Sequence, residues 1–72
     1  MPRKYHTLLE RDGITSPWCI AFGDYGLETV KYELEDYATG YRAVPRKHLK
    51  VITTKDARQA TIMAAVATLN AK

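Results

Sequence analysis

A small α+β domain of order ββαβα is the fold class this sequence predicts, and three features of its patterning carry the prediction. Two short stretches, "KYHTLLER" and "WCIAFG", alternate with a period of two on either side of the turn-forming "DGITSP". From Asp24 the apolar period lengthens to three and four residues, as on one face of a helix. A third alternating stretch, "HLKVITT", then leads into the alanine-rich run "KDARQATIMAAVATLN".

Taken in order, the first strand spans about 4–10. It sets Tyr5, Thr7 and Leu9 against His6, Leu8 and Glu10, so both of its faces carry an apolar residue. Asp-Gly at the head of the following loop and Pro17 at its end make an antiparallel hairpin with a second strand over about 17–23. Strict alternation puts Trp18, Ile20 and Phe22 on one face of that strand and Cys19 and Ala21 on the other. "FGDYG" is the hinge from strand to helix. Leu27, Val30, Leu34, Tyr37 and Tyr41 form the stripe of a first helix over about 25–38. Asp24 is its expected N-cap, because a carboxylate there accepts backbone N–H groups and meets the positive end of the helix dipole. Gly40 supplies the stop. Lys31 and Glu35, one turn apart, are expected to pair.

Pro45 lacks an amide proton and restricts Val44, which makes "YRAVPRK" a loop. The third strand is expected at about 48–54 and a second helix at about 55–70, capped by Thr53 or Thr54, with Ile62, Val66 and Leu69 on one face. The second strand, first helix and third strand form a crossover unit whose strands are parallel, so the first strand can lie between them, antiparallel to both. The expected sheet order is 2-1-3, packed against two helices, with residues 1–72 forming a single domain.

Composition bounds what such a domain does. A chain of 72 residues buries only about 60% of its unfolded surface, which leaves a slim stability margin. Its 46% hydrophobic and 26% charged residues are those of a globular protein, without the apolar run of a membrane helix. "MPRKYHTLLERDG" has no continuous apolar core and does not read as a signal peptide, so a cytoplasmic location is the expectation. Cys19 is the single cysteine, which excludes an internal disulfide and a multi-cysteine zinc site.

No catalytic, cofactor or metal-binding signature emerges, and the reading is of a non-enzymatic protein. His6 and His48 lack metal-ligand spacing, and Cys19 has no companion nucleophile motif. Glu35 and Asp36 are adjacent on a helix and point about 100° apart, which does not converge on one reacting atom. "GDYG" lacks the spacing and lysine of a phosphate-binding loop. Charge is distributed in two blocks. Residues 23–40 hold five carboxylates against Lys31, a net −4, while residues 41–58 hold six cations against Asp56, a net +5. Within the second block Arg42, Arg46, Lys47, Lys50, Lys55 and Arg58 are the candidate contacts for nucleic-acid phosphate.

The segments "YHTLLERD", "W-x-x-x-FGDY", "V-x-x-E-x-E-D" and "TKDARQ…AAVATLN" together resemble a family of small, largely uncharacterised proteins of bacteriophages and prophages that share an FGDY strand-to-helix motif. The resemblance runs over almost the whole chain, though the Asp-Arg pair usual after the FGDY tyrosine is absent here. It implies a phage accessory protein in the host bacterial cytoplasm and no catalytic set. The expected function is a protein-interaction module, binding an unidentified protein partner or itself, with nucleic-acid binding through the basic segment as the alternative. Tyr25, Tyr32, Tyr37 and Tyr41 are candidate contact residues, with the alternative for Tyr37 and Tyr41 that they continue the helix stripe and cap the core.

Overall fold

The computed structural model describes residues 3–41 and 43–71. Strand β1 (Tyr5–Glu10) lies between β2 (Cys19–Asp24) and β3 (Leu49–Thr54), antiparallel to both, in the order β2-β1-β3. Helix α1 (Leu27–Thr39) connects β2 to β3 through a single 3-10 turn at Arg46–His48, and α2 (Gln59–Asn70) ends the fold. The expected ββαβα order and sheet topology are both present.

The mixed faces of β1 have their explanation in the layering. Leu8 and Leu9 are both wholly excluded from solvent, on opposite sides of the sheet. Leu8 joins Val30 of α1 and Leu49, with Phe22, Leu34, Tyr37 and Val51 around them. Leu9 joins Ile62 and Val66 of α2, with Tyr5, Trp18, Ile52 and Leu69 around them. One helix therefore covers each face, and a central strand needs an apolar residue on both.

Strict alternation fails in β2. Leu8 pairs with Phe22 and Leu9 with Ile20, so two residues of β1 face three of β2 and Ala21 is the extra residue of a bulge. The bulge reverses the side-chain alternation. Trp18, Ile20 and Phe22 consequently do not share a face: Phe22 packs under α1, Trp18 packs with α2, and Ile20 is left 44% exposed.

Both helix starts differ from expectation in the same way. The N-cap of α1 is Gly26, not Asp24. Asp24 stands two residues earlier, and its Oδ1 accepts the Gly26 N–H at 3.1 Å. The N-cap of α2 is Arg58, and Asp56 Oδ1 accepts its N–H at 3.0 Å. Neither Thr53 nor Thr54 caps α2; the Thr54 hydroxyl instead donates to the Asp56 carbonyl at 2.7 Å. Residues 55–58 are thus a turn, and α2 begins at Gln59, four residues later than periodicity places it. In each case an aspartate closes an Asx-type turn that aims the chain into the helix. Gly40 ends α1 as expected, its N–H donating to the Asp36 carbonyl at 2.8 Å.

The Asp56 turn makes a testable acid-range prediction. The Arg58 N–H, with the Thr61 side chain, holds the Asp56 carboxyl below its ordinary value of 3.8. A carboxylate whose folded pKa is depressed adds stability that is complete above the unfolded value and is lost as pH falls toward the folded one. The melting temperature of Asp56→Ala should therefore lie below that of the parent at neutral pH, with the gap closing below pH 3.8. A gap that is constant from neutral to acid pH would show that the charge contributes nothing.

Candidate functional site

The length of β3 separates the basic residues that sequence places together. Arg46, at the 3-10 turn, donates to both oxygens of Glu35 on α1, at 2.5 and 2.8 Å. That contact replaces the expected Lys31–Glu35 pair, lowers the Glu35 carboxyl through hydrogen bonding and charge, and raises the Arg46 guanidinium by the same means. The pair is exposed, where such contacts contribute little to stability, but it leaves Arg46 less available to an outside anion. Lys47 and Lys50 lie exposed at the start of β3, whereas Lys55 and Arg58 lie exposed beyond its end. Five residue steps of extended chain, roughly 16 Å of backbone, separate Lys50 from Lys55. Arg42 lies outside the described residues. Among the described residues two separate cationic groups result, not one patch.

The groups with catalytic chemistry are similarly dispersed. His6 lies opposite Thr53 near one end of the sheet, with Nδ1 2.9 Å from the Thr53 hydroxyl. His48 is buried at the other end. Cys19 is exposed on the outer strand, opposite Glu10. Among the described residues no group of three or more His, Cys, Asp and Glu side chains is placed to hold a metal ion. None of the described helices is long and apolar enough to cross a membrane.

Two surfaces stand out once these are set aside. The first is the outer face of α2. Twelve residues, "QATIMAAVATLN", contain no charge at all. Ile62, Val66 and Leu69 turn inward, while Ala60, Met63, Ala64 and Ala67 are exposed on the other side. The outer face is not wholly apolar, since Gln59 and Thr68 are also exposed, but an uncharged, alanine-rich face is unusual for a helix surface left in water. By contrast α1 carries Glu28, Glu33, Glu35 and Asp36. Of the candidate tyrosines, Tyr37 packs into the core, while Tyr25, Tyr32 and Tyr41 are exposed. Tyr25 meets Tyr5 edge to face at 5.0 Å and lies beneath the Arg3 guanidinium at 4.8 Å, so it is engaged within the chain.

The second surface is a groove of about 460 Å³ beside the 11–18 loop, where α2 ends. Asn70 holds Trp18 there by two hydrogen bonds, accepting from the Trp18 N–H at 2.7 Å and donating to the Trp18 carbonyl at 3.2 Å. A side-chain amide thereby completes the backbone pairing that the end of an edge strand lacks. Arg11 lies over the Trp18 ring at 4.5 Å. In sequence "DGITSP" reads as a turn, and nothing links Arg11, Trp18 and Asn70, which meet only through the tertiary fold. Comparison with protein-family models, curated proteins and solved structures finds no match to this chain.

Proposed function

We propose that this domain is a non-enzymatic accessory protein of the phage or prophage kind that acts by protein association, and that its primary contact is the outer face of α2 meeting the same face of a second copy. The observation that carries the reading is the absence of any charged side chain from a helix with an exposed outer face. A two-fold interface sets one surface against itself, so a charged patch at its centre repels its own copy. The α1 side is acidic and the ends of β3 are basic, whereas α2 meets itself without repulsion. Ala60, Ala64 and Ala67 allow close approach of the two helix backbones, and Met63 supplies an adaptable apolar contact.

The contact is small. A twelve-residue helix is about 18 Å long, so the face alone falls short of a standard interface of roughly 800 Å² per partner, and the expected dimer is weak, to be sought from about 10 μM upward. Sedimentation equilibrium across that range should show a monomer–dimer equilibrium. Ala64→Glu should abolish it while leaving the circular-dichroism spectrum unchanged. A parent protein that stays monomeric well above that concentration would overturn the assignment.

A further inference from the structure

Beyond association through α2, the groove beside the 11–18 loop has the features of a small anion-binding site. Arg11 is unusual among the described cations in being half-buried and held by several hydrogen bonds. Its Nε donates to His48 Nδ1 at 3.1 Å, its Nη2 to the Lys47 carbonyl at 3.1 Å and its Nη1 to the Ile14 carbonyl at 3.5 Å. Acceptance at Nδ1 places the His48 proton on Nε2. Its own backbone N–H donates to the His48 carbonyl at 3.1 Å, and the flat guanidinium rests on Trp18.

Each of those acceptors is neutral. Among the described residues Arg11 has no carboxylate partner, in contrast to Arg46, which has Glu35. The guanidinium has five N–H donors, and three are taken, which leaves one on each terminal nitrogen. A fixed, uncompensated cation with free donors is preorganised for an anion, because neither the charge nor the geometry has to be rearranged on binding. Around it the groove is amphiphilic. Ile14 is 70% exposed, and Trp18 and Leu69 add apolar wall, with Ser16 and Asn70 as polar rim. Its volume falls within the range of small-ligand sites.

We propose that this groove binds a carboxylate carried on a short apolar body, with Arg11 meeting the anion and Ile14, Trp18 and Leu69 the hydrocarbon. A free organic acid and the C-terminus of a peptide with an apolar last residue share that chemistry. Trp18 is the sole tryptophan, so its fluorescence reads the site directly.

The test titrates the full chain with hexanoate and with the peptide Gly-Gly-Leu, each beside its uncharged amide. A saturable change in Trp18 emission with at least one acid, and a response at least about tenfold weaker with its amide, is the expected result. Response to both acids identifies a general carboxylate site, and response to the peptide alone identifies a C-terminus reader. Arg11→Gln, which retains donors but removes the charge, should weaken acid binding about tenfold or more while leaving the response to the amides unchanged. The acid–amide comparison on the parent protein stands even where that variant fails to fold. No saturable response to either acid up to about 10 mM, or amides that bind as well as acids, would overturn the proposal.

Discussion

Leu9→Ala is expected to destabilise the domain by about 3 kcal/mol and Leu8→Ala by a similar amount, the cost of a buried cavity added to lost apolar transfer. Both side chains are completely buried, and each is the strand-side centre of its own cluster. A domain of this length is stable by a few to roughly 10 kcal/mol, so either change consumes a large share. The two variants nonetheless differ in where they loosen the fold. Leu8→Ala opens space against Val30 and should raise amide hydrogen exchange first in α1. Leu9→Ala opens space against Ile62 and Val66 and should do so first in α2. Chemical denaturation gives the magnitudes. If both variants loosened the same helix, the opposed packing of α1 and α2 would be wrong.

Gly23→Ala is the second large effect, expected at about 1–3 kcal/mol because it overpacks a close approach. Gly23 pairs with Thr7 on the side of the sheet that Tyr5 crosses. A Cβ there would stand 2.5 Å from the Tyr5 hydroxyl oxygen and under 3 Å from two of its ring carbons. The ring would have to move, and with it the edge-to-face contact to Tyr25 beneath Arg3. Large changes in the aromatic proton shifts of Tyr5 and Tyr25, alongside lower stability, are the expected signature. An alanine that left both unchanged would mean that the glycine is not required by the tyrosine. The "FGDYG" hinge thus has two structural duties, Gly23 clearing space for Tyr5 and Asp24 closing the turn into α1.

Much of this fold is legible in the residues taken in order. Val30, Leu34 and Tyr37 recur at helical spacing and do cover the sheet, and Gly40 does stop α1. A parallel crossover from β2 to β3 leaves the central place to β1, and β1 does lie there. What escaped was any feature set by a single extra residue or by a partner distant in sequence. Nothing local marks Ala21 as a bulge, since the same six residues alternate perfectly when read alone. Thr53 and Thr54 look like caps because threonine commonly is one, and only the observed turn shows Asp56 in the deciding place. The basic run looks continuous because a linear count ignores that a strand carries its two ends apart.

Sequence by itself determined the element order, the strand order and the uncharged character of α2, because periodicity, turn chemistry and the parallel crossover are each set by residues close together in the chain. Tertiary structure alone decided that Arg46 is neutralised by Glu35, that the helices lie on opposite faces, and that Arg11, Trp18 and Asn70 meet at one groove. Those outcomes depend on which strands pair and in what register, and a one-residue bulge in β2 is enough to exchange the faces on which side chains separated by tens of residues come together.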